Sequence, residues 1–91
     1  MNPPVFVFAR ESVELVLLNP TVNGTPITTY QVQAVPRGAR PTGTWTTPTS
    51  AGADGSGYLV TGLAPGMHDV WVKYASNPEI PVQLAAVVRV T

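Results

Sequence analysis

The amino-acid sequence predicts an all-β protein, an antiparallel β-sandwich of six to seven strands formed by residues 1–91 as a single domain. Short runs of alternating apolar residues recur along the chain at a spacing of roughly 8–12 residues, which is typical of such sandwiches. Ten prolines and eight glycines are spread between these runs, where they mark turns. No segment has the sustained period of 3.6 residues that an amphipathic helix requires.

Residues 57–74, GYLVTGLAPGMHDVWVKY, are predicted to form the central β-hairpin. Two alternating runs, Tyr58–Leu63 and Met67–Tyr74, flank the turn Ala64-Pro65-Gly66, where proline presets φ and glycine tolerates a positive φ. Successive side chains of a strand point to opposite faces. The core face of the second run is therefore predicted to carry His68, Val70, Val72 and Tyr74, and the outer face Met67, Asp69, Trp71 and Lys73.

The other strands are predicted from the same alternation. In chain order they are Val5–Ala9, Val13–Leu18, Ile27–Val35, a short Thr44–Thr46 and Val82–Thr91. Residues 19–26 contain two prolines and an Asn-Gly pair, which predicts a loop or a tight hairpin connection. Residues 1–8 have two interpretations, an extended N-terminal arm that docks on a neighbour or an edge strand of the sandwich, and the second is favoured.

The composition argues against several classes of protein. Five basic and five acidic residues give zero net charge, whereas binding to nucleic-acid phosphates normally needs a basic excess. The chain has no cysteine, so we expect neither a disulfide nor a thiolate metal site. We expect no signal peptide and no membrane span, because the apolar runs are only a few residues long. Low charge gives little self-repulsion and favours association with other subunits.

No group of residues predicts catalysis, a cofactor or a metal. The single histidine, His68, is adjacent to Asp69, and on a strand the two side chains point to opposite faces and cannot form a dyad. We expect His68 to lie at the edge of the core with its ring hydrogen-bonded to the backbone. Asp54 lies in a Gly-rich segment that offers one carboxylate, where calcium sites gather several. The sequence therefore predicts that the protein is not an enzyme.

Eight residues are candidates for contact with another protein. The N-terminal segment offers four of them, Val5, Phe6, Val7 and Phe8, which are more apolar than a free terminus usually is. Arg37 and Arg40 share one loop and are suited to an acidic neighbour. Trp45 and Trp71 complete the set, because tryptophan on an outer face is often covered by a partner.

Two resemblances to known families narrow the expectation. The strand order and the turn Leu63-Ala64-Pro65-Gly66 before a valine-rich strand resemble immunoglobulin-like and fibronectin type III-like domains. In that family the turn is often followed by a tyrosine on the core face of the next strand, a position that holds His68 here. The resemblance implies an immunoglobulin-like sandwich.

The second resemblance concerns the C-terminal fifth of the chain. The segment Tyr74–Val82, YASNPEIPV, followed by a strand, resembles the end of small virion proteins from tailed phages of actinobacteria. This resemblance implies a virion structural protein, made in the host cytoplasm, that decorates the capsid or acts at the neck or tail. Its partners would be major capsid or head–tail subunits, and also its own copies. The alternative is a glycan- or cell-surface-binding module that uses Trp45, Trp71 and the loop tyrosines; an enzyme ranks third.

Overall fold

The computed structural model describes residues 5–9, 13–22, 24–27, 29–74 and 80–91. Within them the chain forms nine β-strands and one turn of 3-10 helix, Gly52–Asp54, so the prediction of an all-β protein is confirmed. The strands are β1 (Val5–Phe8), β2 (Glu14–Leu17), β3 (Thr21–Val22), β4 (Thr25–Pro26), β5 (Gln31–Pro36), β6 (Thr49–Ser50), β7 (Ser56–Val60), β8 (Gly66–Lys73) and β9 (Val82–Val90). No helix of the described part is long and apolar enough to cross a membrane.

The strands form two main sheets and a small hairpin. The first sheet has the order β1-β9-β8-β5, the second has the order β2-β7-β6, and β3 pairs with β4. The inner faces of the two sheets share a valine-rich core, in which Val16 and Val60 of the second sheet join Val70, Val88 and Val90 of the first. Each of these valines is at most 3% exposed. Burial of these apolar side chains is the main force that holds the two sheets together.

The predicted central hairpin is wrong, although the core face of its second run is right. The two runs, at β7 and β8, belong to different sheets, and the chain crosses between the sheets over residues 61–65. Alternation shows that a segment is a strand with one core face, but it does not identify the neighbouring strand. The core face of β8 is as predicted, because Val70 and Val72 are 0% and 2% exposed and His68 and Tyr74 are also buried.

The first strand corrects the prediction of a purely antiparallel fold. β1 pairs with β9 in parallel, from Val5 opposite Val87 to Phe8 opposite Val90, so the four-stranded sheet is mixed. Residues 5–8 form the outer strand β1 at one edge of this sheet, and residues 1–4 lie outside the described residues. Phe6 packs against the core together with Phe8, and their rings stack with centroids 6.3 Å apart. Val5 and Val7 remain 58% exposed.

The segments predicted as strands between residues 27 and 46 differ from their predicted boundaries. The strand predicted at Ile27–Val35 begins only at Gln31, and Thr44–Thr46 forms a single bridge between Val32 and Thr46 instead of a strand. β9 confirms the last predicted strand, and its pairing with β8 changes register between Val70 and Trp71. The Asn-Pro-Glu sequence at residues 77–79 lies outside the described part of the chain.

Candidate functional site

A groove on the outer face of the four-stranded sheet is lined by charged, polar and aromatic side chains. The loop after β5 forms one wall and the outer face of β8 forms the floor, and the cavity measures about 650 Å³. Its principal side chains are Arg40, Thr42, Trp45, Asp69, Trp71 and Lys73. This size lies within the usual range for small-molecule sites.

Gln33 holds the loop over the sheet. This glutamine is on the outer face of β5 and yet only 6% exposed. Its Oε1 accepts hydrogen bonds from the backbone N–H and the hydroxyl of Thr42, at 2.9 and 3.1 Å, and its Nε2 donates to the Thr42 carbonyl at 2.9 Å. Three of the four hydrogen-bonding positions of the amide are used, so its burial carries little penalty. The bridge between Val32 and Thr46 fixes the end of the loop.

Asp69 is a buried carboxylate at the floor of the groove. Its side chain is only 8% exposed, although it is on the outer face of β8. Oδ2 accepts the N–H of Gly38 at 3.3 Å. Oδ1 lies 3.4 Å from Nη1 of Arg37, but the two groups are not aligned for a hydrogen bond, and among the described residues Oδ1 has no hydrogen-bond partner. The contact is therefore an ion pair without a hydrogen bond.

The two tryptophans have different roles in the groove. Trp71 is half-buried, and its Nε1 is buried without a hydrogen-bond partner in the described part of the chain. The ring of Trp45 lies under the ammonium of Lys73, with Nζ 4.8 Å from the ring centroid, a cation–π distance. This contact keeps one cation at the wall of the groove.

The structure brings together four of the eight predicted contact residues. Arg40, Trp45 and Trp71 line the groove, and Arg37 pairs with Asp69 beside it. The other four, Val5 to Phe8, form β1 at one edge of the sheet, whereas the groove is beside β5 at the other edge. Sequence reasoning did not identify Asp69, Lys73 and Gln33 as site residues. The alternation of β8 had placed Asp69 and Lys73 on the face of Trp71, which is the signal that could have found them.

A second surface is the leucine face, the outer face of the three-stranded sheet, formed by Val13, Leu15, Leu17 and Leu59. Leu15 is directly opposite Leu59, and alternation places Leu17 and Val13 on the same side. Val13, Leu17 and Leu59 are 63%, 43% and 37% exposed. None of these side chains is polar, although the solvent side of an antiparallel sheet is normally polar.

His68 has a structural position, as the sequence predicted. It is buried on the core face of β8, and its Nε2–H donates to the carbonyl of Ala64 at 2.7 Å. A carbonyl only accepts, so this bond fixes the proton on Nε2. The side chain of Asp69 is on the opposite face, so the two residues form no dyad. In the described part of the chain, no three His, Asp or Glu side chains gather as metal ligands do.

Comparison with known proteins gave no relative. No family model matches the chain, and neither the curated proteins nor the solved structures that were searched include a significant match.

Proposed function

We propose that the protein is a non-enzymatic structural subunit of a tailed-phage virion that binds other capsid or head–tail proteins. The leucine face is the main observation in support of protein binding. Exposed apolar patches of this kind are costly on a free monomer and are typical of surfaces that a protein partner covers. Its four side chains carry no charge, so a partner can cover them without desolvating an ion.

The edge strands support the same proposal. β1 and β2 are outer strands of their sheets, and an outer strand presents backbone groups that can pair with another chain. Val5 and Val7 add exposed apolar surface at β1. A partner that pairs with an edge and packs on a neighbouring face gains hydrogen bonds and apolar burial together.

The assignment to a virion depends on the resemblance of Tyr74–Val82 to phage virion proteins. Within that segment the structure describes Tyr74 and residues 80–82. Tyr74 is buried, and Ile80, two residues before the final strand, is 64% exposed. The resemblance supports a role in capsid decoration or at the neck or tail.

We also propose that the sandwich is immunoglobulin-like. The order β2-β7-β6 corresponds to strands B, E and D of that fold, and β9-β8-β5 corresponds to G, F and C. In that fold a tyrosine near the start of strand F hydrogen-bonds to the backbone a few residues upstream. The hydrogen bond from His68 to the backbone four residues upstream replaces that contact. An experimental structure with another strand order would overturn this assignment.

The proposal is tested by asking whether the protein is incorporated into the virion. Virions purified from infected cells are probed for the protein, and its position is imaged by electron microscopy. We expect the protein on the particle and expect Leu17→Lys/Leu59→Lys to abolish incorporation while the variant remains folded. Thr25→Lys/Thr44→Lys is the matched control, because it adds the same two charges at exposed positions away from the leucine face.

Two results would contradict the proposal, and they are distinguishable. Absence of the wild-type protein from purified virions overturns the assignment to a virion. Normal incorporation of the folded leucine variant overturns the leucine face as the contact surface.

A further inference from the structure

Among the outer strands of the two main sheets, β1 is the one without a feature that blocks pairing with another chain. An outer strand exposes unpaired N–H and C=O groups, and proteins usually block them with a charged side chain, a proline, a covering segment or extreme shortness. The bridge between Val32 and Thr46 covers part of β5, and β6 has only two residues. β2 carries the charged Glu14 on the same side as the buried Val16. β1, Val5–Phe8, has only apolar side chains and pairs only with β9 among the described strands.

The backbone groups of Val5 and Val7 point to the free side of β1. The N–H of Thr91 donates to the carbonyl of Phe8 at 2.9 Å, so Phe8 directs its backbone groups toward β9. Backbone groups of successive residues in a strand point to opposite sides, so those of Phe6 also face β9 and those of Val7 face away from it. The side chains of Val5 and Val7 are each 58% exposed. The edge therefore offers backbone groups and apolar side chains together.

The strand is complementary to a second copy of itself in antiparallel orientation. With Val7 opposite the second copy's Val7, the two residues exchange both of their N–H···O bonds, and Val5 lies opposite the second copy's Ala9. In the same register Phe6 lies opposite the second copy's Phe8 at a position without hydrogen bonds. Cα atoms at such positions are only about 4.5 Å apart, and aromatic side chains pair favourably there. Phe6 and Phe8 are half-buried, so both rings still have surface to contribute.

Charge favours an identical apolar strand as the occupant. Residues 5–9 contain no ionisable side chain, so a strand with charges would gain no ion pair here and would lose hydration. The chain has zero net charge, so two copies do not repel each other as a whole. Arg89 is opposite Val7 on β9, and in the pair it would be three strand spacings, about 14 Å, from its counterpart. That distance exceeds the Debye length of about 8 Å at physiological ionic strength, so the repulsion is weak.

We propose that the protein forms a twofold dimer in which β1 of one copy pairs antiparallel with β1 of the other, so that the two four-stranded sheets become one continuous sheet. One short strand from each copy buries less surface than a standard interface, so the dimer should dissociate on dilution. The inference deepens the proposed function by naming a second copy as a partner, and it rests on that proposal only in treating the outer strands as contact sites. The dimer is measured on the purified protein and the virion assignment on purified particles, so the two can fail separately.

Analytical ultracentrifugation over about a hundredfold range of protein concentration measures the dimer. We expect Val7→Pro to weaken it at least about tenfold, because both bonds at the twofold axis lose their donors. The domain should remain folded by circular dichroism, because the N–H of Val7 does not bond to β9 and proline is accepted at such positions of an outer strand.

Leu17→Pro is the matched control on the outer strand β2. The N–H of Leu18 donates to the carbonyl of Ser56 at 3.0 Å, so the N–H of Leu17 points to the free side of its sheet, as that of Val7 does. The control therefore removes an equivalent donor from the other apolar edge. We expect it to dimerise as the wild type does.

Cysteine cross-linking tests the register without a proline. The chain has no cysteine, so a single introduced thiol forms a disulfide only between two copies. In the proposed register the Cα atoms of the two Val7 residues are about 5.5 Å apart, which a disulfide can span. Those of the two Val5 residues are about 14 Å apart, which is too far. Val5 and Val7 are equally exposed, so mild oxidation should cross-link Val7→Cys at least about tenfold faster than Val5→Cys.

Three outcomes would overturn the proposal. The first is a folded wild-type protein that stays monomeric over the whole concentration range. The second is a dimer that Leu17→Pro weakens and Val7→Pro does not, which would place the contact at β2. The third is equal rates of cross-linking in Val7→Cys and Val5→Cys, which would exclude pairing about Val7.

Discussion

The side chain of Asn19 joins the end of β2 to the loop that precedes β7. Its Oδ1 accepts the backbone N–H of Ser56 at 3.0 Å, and its Nδ2 donates to the carbonyl of Asp54 at 3.1 Å. Asn19 itself has φ of +39°, in the left-handed region that asparagine tolerates better than other non-glycine residues. The local fold therefore depends on both the amide and the backbone preference of one residue.

Substitution of Asn19 should reduce stability in two ways, by loss of its side-chain hydrogen bonds and by strain in the left-handed backbone. Asn19→Gly removes two hydrogen bonds and keeps the left-handed backbone. An exposed hydrogen bond contributes in the lower part of the usual range of about 0.5–1.5 kcal/mol, so the free energy of unfolding should fall by about 1–2 kcal/mol. Asn19→Ala adds about 1 kcal/mol of backbone strain. One kcal/mol corresponds to about 4–8 °C in the melting temperature of a domain of this size. Circular dichroism should therefore give the order wild type, Asn19→Gly, Asn19→Ala from most to least stable.

Gly55 supplies an internal check on this interpretation. Its φ is +103°, and a Cβ at this position would overlap the side-chain amide of Asn19. Gly55→Ala should therefore cost more free energy in the wild type than in Asn19→Gly, where only the strain of the positive φ remains. If Asn19→Gly melts with the wild type, or if the two substitutions are additive, the amide of Asn19 does not hold this loop.

Two further predictions concern β8 and the core. Val72→Asp should unfold the domain, because an unpaired carboxylate at a position that is 2% exposed costs several kcal/mol. Lys73→Asp should cost only about 0.5–1 kcal/mol, through loss of the contact with Trp45. If urea unfolding gave the opposite order of stability, the register of β8 would be shifted by one residue. Burial raises the pKa of Tyr58 above its ordinary value of 10.0, so the folded state holds the phenolic proton more tightly than the unfolded state. The contribution of Tyr58 to the stability of the fold is present below about pH 10 and is lost as the pH rises further. Above pH 10 the free energy of unfolding should therefore fall less steeply with pH in Tyr58→Phe than in the wild type. Equal slopes for the two proteins would refute this expectation.

The sequence predicted local features of this fold well. Alternation identified the core face of β8, because the direction of a side chain on a strand depends only on its position along that strand. The partner of a strand depends on the whole chain, and this is why β7 and β8 were predicted as a hairpin although they lie in separate sheets. The parallel pairing of β1 with β9 joins residues more than 80 positions apart, and no local signal specifies it.

The same distinction applies to the candidate sites. Arg37, Arg40, Trp45 and Trp71 were chosen as separate exposed residues, and they converge because the loop after β5 folds over the outer face of the sheet. The bonds between Gln33 and Thr42 make that fold, and a glutamine in a strand gives no sign that it will bind a loop nine residues away. Burial of Asp69 follows from that loop, so it could not be predicted from the alternation of β8 alone.

The two outer faces of the sandwich suit different ligands. The loop after β5 covers part of the four-stranded sheet and leaves a concave groove with polar groups, a shape that suits a small ligand. The three-stranded sheet has no such cover in the described chain, and its leucine face suits a protein surface. Because the inner faces of the sheets pack on each other, these two surfaces point in opposite directions. A subunit held on a particle by its leucine face would therefore present the groove to the solvent, and Leu17→Lys/Leu59→Lys should abolish incorporation without changing the indole N–H resonances of Trp45 and Trp71 in the groove. Large shifts of these two resonances in a folded variant would mean that the two surfaces are coupled and that this division between them is wrong.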